Sequence, residues 1–174
     1  MASHLPRGGR QKGLYYMNKY FEVRRASEHD AEAIRQITAE AFEKYCELAG
    51  LDTIAALNET IEDIHRDIEE KIVLVAYIDN EVVGSVRVGI NEETMEAYLS
   101  RFGVSTKYQN LGIGKALMNM VDITMRHNKV KRICLHTASK VFSLVRFYYG
   151  RGFYIDSTSK DRGYVRALLV KDYE

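Results

Sequence analysis

The sequence is poor in residues that form cross-links, metal sites or membrane anchors. Its 174 residues include no tryptophan, one proline and two cysteines. Cys46 and Cys134 lie far apart in apolar patterns, so we expect two buried free thiols and no disulfide or catalytic thiol. No group of His, Cys, Asp or Glu has the spacing of metal ligands, and no apolar run approaches the ~20 residues that span a bilayer. We therefore predict a cytoplasmic protein without a bound metal.

Neither sign of charge dominates the chain. The formal net charge is +1, but residues 1–16 contain Arg7, Arg10 and Lys12 and no acidic residue. Setting these three aside leaves 22 of the 25 basic residues against 24 acidic ones, so we expect no basic surface for nucleic acid. The same stretch contains the single proline and shows no periodicity. We predict a vector-derived leader or a disordered tail over 1–16 and a single domain over 17–174.

Hydrophobic periodicity predicts the element order βααβββαβαββ. Ser27 and Asp30 resemble a capping box before the first helix, and Asp79-Asn80-Glu81 is typical of a hairpin turn. The predicted strands are Tyr20–Arg25, Ile72–Ile78, Val82–Ile90, Glu96–Val104, Val130–His136, Phe153–Ile155 and Val165–Val170. The predicted helices run from Ala31 to Tyr45, Ile54 to Ile68, Ile113 to about Asn128 and Val141 to Tyr149.

One glycine-containing turn carries the strongest indication of function. Val104–Met118 reads VSTKYQNLGIGKALM, which is a strand end, a turn and the start of an amphipathic helix. Such a turn can hold a pyrophosphate, because the first turn of a helix has unpaired N–H groups and the positive end of the dipole. A P-loop is excluded because Gln109 stands in place of its first glycine and Ala116 in place of its hydroxyl. A dinucleotide fingerprint is disfavoured because its third glycine would fall on Leu117.

The remaining pattern is Gln/Arg-x-x-Gly-x-Gly/Ala after a strand that ends in Val, matched by Gln109, Gly112 and Gly114. It resembles the coenzyme A pyrophosphate loop of the GNAT acyltransferase superfamily. A second motif, FYYGRGF over residues 147–153, resembles the superfamily's Leu-Tyr-x-x-x-Gly-Phe, whose tyrosine points at the coenzyme A sulfur. This match gives that role to Tyr148. The predicted element order is also the order that a GNAT domain shows.

The resemblance implies a fold and a cofactor. We expect an α/β GNAT acyl-CoA acyltransferase fold, with a central mixed, mostly antiparallel, twisted sheet of about seven strands flanked by about four helices. The acyl donor would be acetyl-CoA. Family members often carry an asparagine that binds the pantetheine where this chain has Val141, so either Ser139 takes its place or the backbone alone makes this contact. The implied cofactor-binding residues are Phe102, Gly103, Val104, Gln109, Asn110, Leu111, Gly112, Ile113, Gly114, Lys115, Ser139 and Tyr148.

Acyl transfer to an amine requires three catalytic roles. The amine must lose a proton, the thioester carbonyl must be polarised and the departing thiolate must be protonated. The resemblance implies that a backbone N–H near Val104 polarises the carbonyl, beside Gly103, which permits a bulge or a close backbone approach. Tyr148 is the predicted general acid, since a phenol with an ordinary pKa near ~10 can protonate a thiolate.

The general base is less clearly indicated. We predict Glu96, on the strand before the turn, with Glu92 and Glu93 in the preceding loop as alternatives. His136 has a suitable ordinary pKa and is a further alternative. All four side chains remain open as bases at this point.

Two functions from different classes follow. The first is an N-acetyltransferase that moves the acetyl group of acetyl-CoA to a primary amine of an unidentified small-molecule or peptide acceptor. The second is a catalytically silent acyl-CoA-binding sensor or structural domain of the same fold. A longer acyl donor also stays open. The resemblance places the acceptor pocket near residues 45–57 and 157–163 and makes a homodimer through the late strands an expectation.

Overall fold

Residues 21–174 are described by the computed structural model, so the predicted leader or tail over 1–16 lies outside the described residues. Over this range the elements follow the predicted order βααβββαβαββ. The strands are β1 (Glu22–Arg25), β2 (Ile72–Ile78), β3 (Glu81–Asn91), β4 (Glu96–Val104), β5 (Arg132–Ala138), β6 (Tyr154–Ser159) and β7 (Arg166–Asp172). The helices are α1 (Ala31–Ala49), α2 (Ile61–Glu70), α3 (Ile113–His127) and α4 (Phe142–Tyr149).

The strands form one seven-stranded sheet in the order β1-β2-β3-β4-β5-β7-β6. β4 and β5 pair in parallel, and the other neighbouring strands pair antiparallel. The predicted fold class, a mixed and mostly antiparallel sheet flanked by helices, is therefore confirmed. The parallel pair lies in the middle of the sheet, and α3 forms the crossover between its two strands, as parallel strands require.

Helices cover both faces of the sheet. In β2, Val73 and Val75 pack with α1 and α2, whereas Leu74 and Ala76 pack in the cluster that contains the apolar side of α3. Successive side chains of a strand point to opposite faces, so this strand contributes to two cores and is apolar throughout. None of the helices in residues 21–174 is both long enough and apolar enough to cross a bilayer.

Local signals fix the start of α1 and the first hairpin. The Ser27 N–H donates to Asp30 Oδ2 at 2.7 Å, and the predicted capping box precedes α1. β2 and β3 are joined by Asp79 and Asn80, both with positive φ, at 46° and 69°. Two consecutive left-handed residues form the tight hairpin turn that matches strand twist, so the prediction of a turn here is confirmed.

The predicted helix from Ile54 to Ile68 is interrupted. Residues 55–58 form a separate 3-10 turn, and α2 begins only at Ile61. The start of α2 is fixed by a second capping box, in which Asp63 Oδ2 accepts from the Thr60 N–H at 3.0 Å and Thr60 Oγ1 accepts from the Asp63 N–H at 3.1 Å. These bonds satisfy N–H groups that only a helix start leaves unpaired, so the chain begins a new helix there.

A buried ion pair network joins β3 to the segment before α2. The Arg87 guanidinium has no exposed surface and donates to both Glu59 oxygens at 2.7 and 2.8 Å and to Asp67 at 2.9 Å. Glu59 also accepts from Arg101 Nε on β4 at 2.8 Å. Two acidic residues, Glu59 before α2 and Asp67 within it, therefore neutralise a buried arginine. The network ties Glu59 to both β3 and β4.

Both cysteines are free thiols. Cys46 on α1 is buried, and Cys134 on β5 is half-buried. Burial raises the pKa of each thiol, so neither has the thiolate character of a nucleophile.

Candidate active site

A cleft opens where β4 and β5 separate. The two strands pair only through Glu96–Arg132, Ala97–Ile133 and Tyr98–Cys134. Beyond Tyr98 the β4 backbone has no β5 partner, so its polar groups face the gap. A cavity of about 1050 Å³ lies there, lined by α1, the 53–56 segment, β4, the turn before α3, β5, α4 and the loop before β7. This volume suits a substrate pair larger than a single small molecule.

A bulge in β4 shapes the cleft wall. The register of β3 against β4 shifts between Ser85 and Arg87, and Arg101 in the bulge has a positive φ of 52°. Gly103 follows, and an added Cβ there would lie 2.7 Å from the Cβ of Ala41 on α1. The glycine is therefore required by the close approach of α1 to β4, in agreement with the expectation for this position.

The turn before α3 has the geometry of an anion site. Asn110 and Gly112 both have positive φ, at 62° and 81°. The first helical bond runs from the Ala116 N–H to the Gly112 carbonyl at 3.0 Å, so the three N–H groups between them lack a backbone acceptor within residues 21–174. A Cβ built on Gly112 meets no atom within 4 Å. Open space beside free N–H groups at a helix start fits a pyrophosphate.

Gly114 and Gln109 shape and position the turn through contacts with the end of β4. A Cβ on Gly114 would lie 3.0 Å from Cζ of Phe102, so a glycine at this position leaves room for the Phe102 ring of β4. The Gln109 side-chain amide donates to the carbonyls of Val104 and Ser105 at 3.4 and 3.3 Å. Gln109 thus ties the turn back to the end of β4 and positions it.

Tyr148 lies at the inner end of the cleft. Its side chain is buried, unlike Tyr149, which is 51% exposed. The Tyr148 ring packs against Phe102, Phe147 and Phe153 at centroid distances of 6.2, 5.4 and 5.7 Å. Burial, together with the nearby phenol of Tyr45, raises the pKa of Tyr148, so its hydroxyl keeps its proton at neutral pH.

A tyrosine–histidine pair bridges β4 and β5 on the same cleft. The Tyr98 hydroxyl lies 2.7 Å from Nδ1 of His136. Burial lowers the pKa of His136, Arg166 and Arg162 act in the same direction, and Asp161 opposes them in part. Burial also raises the pKa of Tyr98. At neutral pH the phenol is therefore protonated and the imidazole neutral, which makes the pair a proton acceptor.

Positive charge dominates the cavity lining. The lining includes five Lys or Arg side chains and no Asp or Glu: Lys44, Arg101, Lys115, Arg162 and Arg166. Arg166 is 6% exposed and donates from Nη2 to Asp161 at 3.0 and 3.2 Å, whereas its buried Nε has no acceptor within residues 21–174. Those residues also contain no group of three or more His, Cys, Asp or Glu positioned to hold a metal ion.

The cleft brings together most of the predicted site residues. Those that line it are Phe102, Gly103, Val104, Gln109, Asn110, Gly112, Ile113, Gly114, Lys115 and Tyr148. Leu111 is outside the lining and packs at the edge of the core. Ser139 lines a separate cavity of about 380 Å³, and Glu96 is exposed at the first position of β4. The roles of these three residues stay predictions.

Several lining residues were not identified from the sequence. Ser143 on α4 lines the cleft where Ser139 was expected to. Tyr98, Tyr164 and Arg166 also line it, together with residues from both predicted acceptor regions. Tyr98 and Arg166 lie on predicted strands, and alternation alone does not show which exposed strand residues face a cleft.

The chain is similar to known acetyltransferases. Residues 31–153 match the family model described as the acetyltransferase (GNAT) family. The chain is 30% identical over 141 residues to L-amino acid N-acetyltransferase AaaT of Escherichia coli (strain K12), which covers 79% of this chain and 85% of that protein. The fold is similar to that of PaiA N-acetyltransferase from Thermoplasma acidophilum, crystallised in complex with coenzyme A. That pair has a TM-score of 0.77 at 21% identity, covering 88% of this chain and 99% of the other. Ribosomal-protein-alanine N-acetyltransferase from Brucella melitensis gives a TM-score of 0.71 at 20% identity, covering 87% and 99%.

Proposed function

This chain belongs to the acetyltransferase (GNAT) family, and we propose that it transfers the acetyl group of acetyl-CoA directly to the primary amine of a small acceptor. The observation that carries the proposal is one cleft that joins a helix-start turn, whose N–H groups have no backbone acceptor within residues 21–174, to a buried tyrosine. The relative from Escherichia coli is named an L-amino acid N-acetyltransferase. Amino acids are therefore the first acceptors to test.

The turn before α3 would hold the pyrophosphate of the donor. The N–H groups between Gly112 and Ala116 would donate to its oxygens, and Lys115 adds a positive charge beside them. The β4 backbone from Phe102 to Val104, which pairs with β3 but has no partner on β5, would bind the pantetheine arm in the manner of an added strand. When bound, acetyl-CoA supplies the acetyl group as a thioester and leaves as the thiol.

Tyr148 is proposed as the general acid. Its raised pKa keeps the phenol protonated, and its burial removes competing water from the hydroxyl. It gives its proton to the sulfur as the carbon–sulfur bond breaks. A backbone N–H of the β4 bulge near Val104 would polarise the thioester carbonyl.

The Tyr98–His136 pair is proposed to take the proton of the acceptor. Tyr98 Oη accepts a proton from the amine while it gives its own to His136 Nδ1, 2.7 Å away. The amine then forms the new carbon–nitrogen bond and loses its second proton. That second proton restores the Tyr148 hydroxyl, whose own proton has gone to the sulfur. The first proton leaves His136 for solvent, so an ammonium and acetyl-CoA give the amide, the thiol and one released proton. Glu96, the base predicted from the sequence, competes with this pair as a second hypothesis.

The experiment measures release of the coenzyme A thiol by the purified chain with acetyl-CoA and a panel of amines. The panel contains L-amino acids, their carboxamides and a polyamine, and the N-acetyl product is identified by mass spectrometry. Thiol release that depends on an amine, with an equal amount of N-acetyl product, supports the proposal. Tight acetyl-CoA binding without amine-dependent release would instead support the silent acyl-CoA-binding domain.

A further inference from the structure

The acceptor side of the cleft carries a positive charge that acetyl-CoA does not account for. Of the five basic lining residues, Lys115 lies at the turn proposed for the pyrophosphate, Arg101 is paired with Glu59, and Lys44 is on α1. Arg162 and Arg166 lie elsewhere, close enough to His136 and Tyr98 to affect the pKa of both. An ammonium beside this pair would meet like charge and no lining carboxylate. A cleft for a cationic polyamine would be expected to show the opposite pattern.

Arg166 presents unused donors at this position. Its side chain is 8% exposed, and Asp161 holds only Nη2. The buried Nε donates to no acceptor within residues 21–174, and a buried guanidinium N–H without an acceptor is unfavourable. Arg162 is exposed, lines the same cavity and makes no ion pair with another described residue. One ion pair with Asp161 therefore leaves a net positive charge on this part of the cleft.

We infer that the amine acceptor also carries a carboxylate, and that Arg166 and Arg162 bind it while the amine faces Tyr98 and His136. A guanidinium whose orientation is fixed by Asp161 is suited to a planar carboxylate, since charge-assisted N–H···O bonds are directional and strong. An L-amino acid is the smallest molecule with both groups. The inference rests on the proposed acetyl transfer and specifies its acceptor.

A matched acceptor series tests the inference. L-leucine and L-alanine are compared with their carboxamides and with 3-methylbutylamine and ethylamine, which keep the amine and lose the carboxylate. Rates are expressed per concentration of unprotonated amine, because removal of the carboxylate changes the pKa of the amine. The expected kcat/KM is about tenfold or more higher for the carboxylate than for the carboxamide, the size of one charge-assisted contact.

Variants assign the effect to the two arginines. Arg162→Gln and Arg166→Gln should each reduce the ratio of kcat/KM for the carboxylate to kcat/KM for the carboxamide about tenfold. Arg132→Gln is the control, because Arg132 is a half-buried β5 arginine outside the cavity and its substitution removes the same charge. Arg162 is exposed and makes no ion pair with another residue of 21–174, so the Arg162→Gln variant should fold and tests the inference even if Arg166→Gln does not fold. Equal kcat/KM for carboxylate and carboxamide in the native chain, or an unchanged ratio in Arg162→Gln, would overturn the inference.

Calorimetry separates this inference from the proposed function. The same compounds are titrated into the native chain with coenzyme A bound, which requires no turnover. Carboxylate-dependent binding without acetylation would retain the anion site and reject the transferase proposal. Acetylation of all the amines at equal kcat/KM, with no carboxylate-dependent binding, would retain the transferase and reject the anion site.

Discussion

The hydroxyl of Tyr98 and Nδ1 of His136 lie 2.7 Å apart across the last stretch before β4 and β5 separate. Tyr98 is in the final register pair of the two strands, and His136 is two residues beyond its partner Cys134. The bond therefore fixes the two strands at the mouth of the cleft and places a proton acceptor there. The same bond thus holds the strand pair together and forms the proton acceptor proposed for acetyl transfer.

Replacement of His136 tests the base. Burial and two arginines lower the pKa of His136, so the imidazole becomes protonated only below its ordinary value of about 6.5. We expect kcat of the native chain to be constant at neutral pH and to fall as the pH drops below that value. His136→Gln should lower kcat about 100-fold and remove this acidic limb. The pH profiles of kcat for both proteins provide the measurement.

Glu96→Gln is the matched comparison for that profile. Glu96 is exposed and outside the cavity lining, so this variant should keep both kcat and the acidic limb. If Glu96→Gln loses the limb and His136→Gln retains it, Glu96 is the base and the Tyr98–His136 pair is structural.

Tyr148→Phe tests the general acid. The ring should remain packed against Phe102, Phe147 and Phe153, and only the proton donor is lost. We expect kcat to fall about 100-fold or more while the Kd of coenzyme A changes by less than about twofold. Tyr149→Phe on the same helix is the control, since Tyr149 is exposed, and it should leave kcat unchanged. Unchanged kcat in Tyr148→Phe would make Tyr148 a packing residue.

Gly112→Asp tests the pyrophosphate site. The substitution places a carboxylate in open space beside the free N–H groups and forces a non-glycine residue into a φ of 81°. We expect the Kd of coenzyme A to rise by roughly 100-fold, because the new carboxylate repels the pyrophosphate. Gly163→Asp is matched in both respects, with a φ of 83° and no atom within 4 Å of its Cβ. Calorimetry should find unchanged coenzyme A affinity in that control, and equal loss in both variants would count against the turn.

Arg87→Ala tests the buried network beneath the acceptor side. Removal of the guanidinium leaves Glu59, which is 10% exposed, without its buried partner. We expect the free energy of unfolding in urea to fall by about 3–5 kcal/mol. Arg35→Ala breaks an exposed pair with Glu32 and should leave the free energy of unfolding almost unchanged, because solvent screens that pair. Similar losses in the two variants would mean that burial does not strengthen the Arg87 pairs.

Local patterns predicted the element order because periodicity and capping are short-range. The Thr60–Asp63 capping box was present in the sequence, yet the apolar spacing from Ile54 to Ile68 concealed it. β6 runs over Tyr154–Ser159, longer than the predicted 153–155. The prediction was too short because every residue of β6 is exposed, so no alternation of apolar and polar residues indicates where the strand ends.

The parts of the site that depend on contacts between residues distant in sequence could not be predicted. The turn was predictable because its glycines and helix start are contiguous. The Tyr98–His136 bond joins residues 38 positions apart through a parallel strand pair, and Arg87 meets Glu59 across 28. Nothing in the sequence around His136 or Arg87 indicates these contacts, since a histidine or arginine on a strand is usually solvated. The cytoplasmic location and the homodimer stay predictions.

The most direct test of the account is a single-turnover experiment with acetyl-CoA labelled in its acetyl group. The full chain in excess over the donor is mixed with an L-amino acid, quenched at intervals, and the label is followed on donor, protein and amine. Direct transfer predicts that label leaves the donor and reaches the amine at the same rate, with none on the protein. Label that accumulates on the protein, or that stays on acetyl-CoA while the amine is present, would contradict the account.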